Sequence, residues 1–436
     1  MALAPLVYTL WNRVMRFDPE DPIWPNRDRF VLSNGHASML LWSVLHLTGT
    51  KAVNADYERL GEPSVTLDDI RRFRQLDSQR ARSPRVPLGV GRRDAPPVRS
   101  GRASRRAWAW PSPRSGWRNR YNRPGFEIFD YNIYAVCGDG CLMEGVASEA
   151  ASLAGHLGLD NLCWIFDNNH ITIEGNTNIT FTEDVATRFL GYGWNVLRVG
   201  DANDIDRIER ALADVPAHEG PPDLHHPRQP HRLRLSRTGR TRPRRTASRS
   251  ATTRSALVKR NYGWPEDAKF LVPDGVREHF TAGIGARGAA ARQQWSELFA
   301  AYRAQYPELA TEIDQMQRRE LPAGWDKNLP VFPADPKGVA GREASGKVLN
   351  VLAQNIPWLL GGSADLGPSN KTTADLRRRR ALPGRPRRAG RTCTTASAST
   401  RWRRSSTGSR CPRSGPSARP SSSSATTRGR PSGCPR

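Results

Sequence analysis

"YAVCGDGCLMEG", Tyr134 to Gly145, decides the fold. An apolar run stops there, one carboxylate stands between two glycines, and a helical pattern begins. Upstream, "EIFDYNIYAVC" (Glu127–Cys137) is rich in β-branched and aromatic residues, the mark of a buried strand. Downstream, Val146, Ala150, Leu153 and Leu157 recur at intervals of four, three and four, which predicts one buried helix face ending near Gly158. "NLCWIFDNN" (Asn161–Asn169) predicts a second strand. Strand, helix and strand form a βαβ unit. The expected class is therefore α/β, a parallel sheet flanked by helices with its ligand site at the C-terminal ends of the strands.

With 436 residues the chain has the length for two or more domains. Its net charge of +25 would ordinarily point to a polyanionic partner, nucleic acid above all. The location of the charge argues otherwise. Residues 79–117, 221–255 and 374–436 hold 37 arginines and three aspartates with no lysine or glutamate, so these patches carry +34 and the other 299 residues are net −9. Their aromatic residues are only Trp108, Trp110, Trp117 and Trp402, too few for a base-stacking platform. No nucleic-acid partner is expected. No apolar run approaches the ~20 residues that span a bilayer, and "MALAPLVYTLWNRVMRF" lacks a signal peptide's basic start, so no membrane association and a cytoplasmic location are expected. Of the cysteines, Cys137, Cys141 and Cys163 fall in or beside the expected strands and suggest core packing rather than disulfides or zinc.

The three patches begin and end abruptly. Arg, Pro, Ser, Thr and Ala without Lys or Glu is what a GC-rich gene yields in the wrong frame. Asp223–Ser236, "DLHHPRQPHRLRLS", can be back-translated and read one base over as "TFITLDSHIGYGS", a strand and a turn. Likewise, read one base over, "TTASASTRWRRSS" can give "YGVREHAMAAIL", and "PVRSGRASRRAWAWPSPRSGW" can give "GPLGQGVATSVGMAIAQKWL". Frameshifts are preferred here over a basic linker or tail.

Chemistry resides in the ordinary-textured sequence. Asp139 between Gly138 and Gly140 lets backbone approach a diphosphate while the carboxylate faces a hard cation. Asn169, at the tip of the second strand, adds an amide oxygen on the same edge, and the Ile171 carbonyl completes a protein set suited to Mg2+, or Ca2+ or Mn2+ in its place. A lone GDG is common in turns. Strand-GDG, helix and strand-NN, from Gly138 to Asn169, is far more specific.

That arrangement is the thiamin diphosphate signature. "DRFVLSNGHASMLLWSVLHLTG", "GDGCLMEGVASEAASLAGHLGLDNLCWIFDNNHITIEG" and "GGSADLGPSN" closely resemble the transketolase family, over residues 1–78, 118–220 and 256–373. The resemblance implies a thiamin diphosphate-binding fold with the start of a second α/β domain. It divides the chain into 1–256, the diphosphate-binding domain; 257–340, its helical end and a linker; 341–373, the start of a pyrimidine-binding domain; and 374–436, an out-of-frame tail. It implies transfer of a two-carbon ketol unit from a ketose phosphate to an aldose phosphate, in a homodimer. Asp139, Asn169 and Ile171 then resemble the metal ligands; Gly138, Asp139, Gly140 and Asn169 resemble cofactor contacts. His36 is similar to a catalytic histidine facing cofactor and substrate, and Asp365 to a residue near the cofactor. Arg342 and Ser369 resemble anchors for the sugar phosphate. Glu144 and Glu149 resemble carboxylates near the dimer interface.

"GREASGK" (Gly341–Lys347) mimics a P-loop, but Val348 stands where Ser or Thr should hold magnesium, so it is expected to open the second domain as a helix. Parts of the family are also missing from the chain as written. A first helix with its own histidine is expected before Met1, two histidine-bearing loops fall in the first two patches, and the pyrimidine-activating glutamate falls in the third. Deoxyxylulose-phosphate synthase and the pyruvate dehydrogenase first component share the cofactor, but "ITIEGNTNITFTEDVATRFLGYGWNV" and "GGSADLGPSN" favour transketolase. Resequencing the gene should restore one open frame through all three patches and bring the net charge down toward acidic values. A verified DNA sequence whose single frame encodes them would overturn this expectation.

Overall fold

The computed structural model describes residues 3–54, 56–73, 75, 117–172, 174–213, 231–236, 259–260, 262–359, 361–364, 366–372 and 392–395, with the strands 231–236, 361–364 and 392–395 described by backbone alone. In chain order the strands are β1 (Arg29–Leu32), β2 (Lys51–Val53), β3 (Arg59–Pro63), β4 (Ile133–Gly138), β5 (Leu162–Asn168), β6 (Asn195–Val199), β7 (His231–Ser236), β8 (Gly361–Ala364) and β9 (Thr392–Thr395). The main sheet runs β1-β4-β5-β7-β6 with every neighbouring pair parallel. A short antiparallel ribbon, β2-β3, and a parallel pair, β8-β9, stand apart from it.

Both faces of the sheet are covered, and strand alternation divides the core in two. Phe30, Leu32, Tyr134, Val136, Cys163 and Ile165 enter one apolar cluster. Val31, Ile133, Ala135, Cys137, Leu162, Trp164 and Phe166 enter the other. Successive residues of a strand point to opposite faces, so burial on both requires the near-continuous apolar runs seen in the sequence. The first cluster is closed by the helices α1 (Ala4–Thr9) and α2 (Ser38–Leu47), which contribute Leu6, Val7, Leu41, Trp42 and Leu45.

After β4 the chain makes a single helical turn, α3 (Asp139–Leu142), and then α4 (Gly145–His156). The buried face of α4 differs from the expected one. Ala147, Ala150, Ala151 and Ala154 are buried, while Val146, Leu153 and Leu157 are only partly so. Small side chains let the helix lie close to its neighbours, and the larger apolar ones flank that contact. The approach is tightest at Gly155, where a Cβ would fall 1.9 Å from the Tyr192 carbonyl oxygen. Trp194 fixes the same junction by donating from Nε1 to the Ala151 carbonyl at 2.9 Å.

The helix α5 (Val185–Gly191) leads into β6, and beyond that strand follow α6 (Ile205–Ala213) and the segment α7 (Val276–Phe280), α8 (Ala286–Gln305) and α9 (Pro307–Arg318). Phe280 and Ile284 enter the first cluster; Phe299, Tyr302, Ala310 and Ile313 enter the second. Arg120 grips Glu312 in a fork at 2.6 and 2.9 Å, and Tyr302 donates to the Tyr121 carbonyl at 2.7 Å. Gly341–Asn355 is indeed a helix, α10, followed by β8 and the short α11 (Gly367–Asn370).

The first Arg-rich patch lies outside the described residues except for Trp117, and so does the third except for Thr392–Thr395. The second supplies β7, whose backbone pairs with both β5 and β6. A strand thus forms within the stretch whose shifted frame reads as a strand and a turn. Among the described residues no helix is long and apolar enough to cross a membrane.

Gly155→Ala should lower the unfolding free energy by about 1–3 kcal/mol, the usual cost of forcing atoms into a packed contact. Urea titration checks this, and an unchanged midpoint would show that the α4 junction can yield.

Candidate functional site

Three chain segments meet at the C-terminal edge of β1, β4 and β5. β1 continues one residue past its end, the Ser33 N–H donating to the Val136 carbonyl at 2.7 Å, and then turns through Asn34 into a tight turn, Gly35–Ala37. His36 is exposed on that turn. β4 ends at Gly138, whose added Cβ would lie 3.3 Å from Asn34 Oδ1. Gly138 has an ordinary extended backbone, so it is the closeness of Asn34 that favours glycine there. The Cys141 thiol also donates to Asn34 Oδ1 at 3.3 Å, tying the two turns together.

Asp139 lies at the centre. It is 4 % exposed, and its Oδ2 has no hydrogen-bond partner. Burial pushes its carboxyl up to about 6; the His170 ring opposes the rise, nearby Asp167 adds to it, and the backbone amides of His170 and Asn169 oppose it by donating hydrogen bonds. Gly140 is exposed with open space where a Cβ would stand, leaving room for a ligand against the backbone.

On the third segment, Asn169 Nδ2 donates to Asp167 Oδ2 at 2.9 Å, and Asn169 Oδ1 accepts from the Ile171 N–H at 3.1 Å. His170 takes a left-handed conformation, φ +58°, which turns the chain back so that Ile171 can reach Asn169 and bridge to Asn176. Asn168 Nδ2 lies 3.1 Å from His170 Nε2.

The structure thus gathers His36, Gly138, Asp139, Gly140, Asn169 and Ile171 on one sheet edge. Arg342 and Ser369 are exposed on α10 and α11, outside the main sheet. Those two helices do meet: a Cβ on Gly346 would lie 2.6 Å from Lys371 Cβ, and Lys371 pairs with Glu343 at 3.6 Å. Asp365 lies outside the described residues. Glu144 stands at the N-cap position of α4 without a side-chain capping bond, and Glu149 is exposed on that helix. Sequence reasoning missed Asn34, Asp167 and His170. The sequence marks only their position, as polar residues at the tips of apolar strands, and not which atoms they touch.

A buried carboxylate with a vacant oxygen, beside open backbone, suits a divalent cation and a diphosphate. Among the described residues no three His, Cys, Asp or Glu side chains gather as metal ligands, so a cation here would draw on amide and carbonyl oxygens beside the one carboxylate. The fold and this edge define a thiamin diphosphate-binding α/β domain. Residues 1–322 match the family model described as "Transketolase, thiamine diphosphate binding domain", and the chain belongs to that family.

Transketolase of Geobacillus stearothermophilus is 41 % identical over 390 residues, covering 85 % of this chain and 53 % of that protein. Transketolase 1 of Saccharomyces cerevisiae is 38 % identical over 380 residues, covering 85 % and 52 %. Among solved structures, transketolase from Pichia stipitis in complex with sedoheptulose-7-phosphate superposes with a TM-score of 0.72 at 36 % identity, covering 86 % of this chain and 53 % of that one. Transketolase from Leishmania mexicana gives 0.73 at 33 % identity, covering 84 % and 52 %. The chain spans about half the length of the curated relatives it matches. These likenesses do not favour another thiamin diphosphate enzyme or a nucleic-acid binder.

In metal-free protein the folded state holds the Asp139 proton more tightly than the unfolded chain, whose carboxyl keeps its ordinary value of 3.8. The contribution of this group to stability is therefore fully present below 3.8 and is lost as pH rises through about 6. Asp139→Asn should flatten that decline between pH 4 and pH 7 in urea unfolding with chelator present. An identical pH dependence in both proteins would count against the buried, raised carboxyl.

Proposed function

We propose that the chain carries the cofactor-binding part of a transketolase, an enzyme that passes a two-carbon ketol unit between sugar phosphates. The observation that carries this reading is the buried Asp139 with its unpartnered Oδ2 at the edge shared by β1, β4 and β5. Asp139, the Asn169 amide oxygen and the Ile171 carbonyl would hold Mg2+, or Ca2+ or Mn2+. The backbone at Gly138 and Gly140 would lie against the diphosphate. When bound, thiamin diphosphate supplies a carbon nucleophile and an electron sink for breaking and making a carbon–carbon bond.

The remaining roles fall to residues of this chain. His36, exposed beside the GDG turn, would exchange a proton with a substrate hydroxyl. Arg342 and Ser369, on two helices that touch, would grip the sugar phosphate, Arg342 through its planar fork of donors. Asp365 would lie near the cofactor. Structures of the Pichia stipitis enzyme with sedoheptulose-7-phosphate and with fructose-6-phosphate support ketose phosphates as the substrate class. A homodimer, a place in the pentose phosphate pathway and a cytoplasmic location complete the reading, with Glu144 and Glu149 near the subunit interface.

β7 occupies an inner position of a sheet covered on both faces, where apolar runs normally stand, yet its sequence is "HRLRLS". A restored frame supports both the fold and the missing histidines. The chain as written is then expected to be inactive, holding cofactor weakly at most without turning it over.

Two measurements test this. Asp139→Ala should abolish thiamin diphosphate retention in calorimetry with Mg2+, because it removes the one charged ligand of the cation. Unchanged affinity would sink the metal assignment. In a coupled ketol-transfer assay with saturating cofactor, the chain as written should fall more than about tenfold, roughly 1.4 kcal/mol in barrier, below a frame-restored protein. Comparable rates would overturn the frame reading.

A further inference from the structure

Asp167 is the last carboxylate of β5, in register with Gly138 on β4 and 7 % exposed. Its Oδ2 accepts from Asn169 Nδ2 at 2.9 Å, while Asn169 Oδ1 accepts from the Ile171 N–H at 3.1 Å. An ionised carboxylate only accepts and a backbone N–H only donates, so together they settle which end of the Asn169 amide is which. A flipped amide would set oxygen against carboxylate and NH2 against N–H, two repulsive contacts in place of two bonds.

We propose that Asp167 is a positioning residue that fixes the Asn169 amide so that its carbonyl oxygen, with a second lone pair to spare, is the atom offered beside Asp139. The proposal rests on the reading of Asp139 and Asn169 as the cation and diphosphate site. Packing alone gives no reason for this carboxylate. It is buried next to a second buried carboxylate, an arrangement that apolar residues would avoid and that carries a desolvation cost. What it supplies is an acceptor aimed at the Asn169 NH2. The neighbouring left-handed turn at His170 serves the same end, because it brings the Ile171 N–H back onto the amide oxygen. Groups that orient a ligand from behind in this way typically change metal affinity about 10–100-fold when removed.

The test is a Mn2+ titration of the full chain with thiamin diphosphate present, free Mn2+ being read by electron paramagnetic resonance. Thermal unfolding of each cofactor-free protein is measured alongside. Asp167→Ala should weaken Mn2+ binding about tenfold or more. Asp167→Asn, whose own amide oxygen can still accept from Asn169, should recover most of that loss with an unchanged melting midpoint. Should Asp167→Ala not fold, Asp167→Leu fills the same space without an acceptor and takes its place. Equal losses in Asp167→Asn and Asp167→Ala would mean that charge rather than orientation matters, and would overturn the proposal. So would wild-type affinity in Asp167→Ala when Asp139→Asn weakens binding. Wild-type affinity in Asp139→Asn would instead overturn the site reading beneath it.

Discussion

Burying a carboxylate strips it of water, and the cost is met only by groups that replace that water. At Asp139 the replacement is incomplete: the amides of Asn169 and His170 donate to the carboxylate, Oδ2 receives nothing, and Asp167 adds a like charge nearby. That imbalance pushes its carboxyl up to about 6. A divalent cation would correct it at one stroke, satisfying the vacant oxygen and neutralising repulsion between neighbouring acids. On the proposed reading a cation takes that place, and the polar residues of the edge make sense as parts of one arrangement.

Such an edge needs a rigid support. The three strands that present it are covered on both faces by separate apolar clusters, so none can slip without turning its residues inside out. The late helices lock that support from outside. Arg287 donates to the carbonyls of Trp11, Asn12 and Met15, at the end of the π-helical turn Leu10–Val14 that continues α1, where helical carbonyls run out of intrahelical partners. Trp295 donates to the Ile128 carbonyl just before β4, and Arg292 pairs with buried Asp18. Residues far along the chain thus hold the first segments in place, consistent with a family match that runs through residue 322.

Much of this was legible in the sequence because the period of apolar residues is a direct record of burial. β4 and β5 were visible as apolar runs closed by GDG and NN, and α4 as a helix between them. Its buried face was not, since alanines carry little hydrophobic signal and their role depends on how near the sheet and Tyr192 come. Asp139 and Asn169 could be named from residue type and spacing. Asp167 and Asn34 could not, because their importance lies in which atom each touches. The same holds for His170, whose left-handed turn is a matter of backbone geometry that no residue pattern announced.

The slot between β5 and β6 shows how far a sheet can dictate backbone against sequence. Strong strands on either side leave unpaired N–H and C=O groups, and a segment of chain that reaches them gains a full ladder on both edges. His231–Ser236 takes that place, with Arg232 in register with Trp164 and Arg234 with Phe166. Trp164 and Phe166 belong to one buried apolar cluster. In the shifted frame the apolar run "TFITL" falls opposite Asp223–Arg228, and the codons of His231–Ser236 become part of the turn "HIGYGS". On the frame reading, then, hydrogen-bonding demand and hydrophobic demand in this slot select different segments. Restoring the frame would let a single segment, about eight residues nearer the N-terminus at ~3.3 Å per strand residue, meet both.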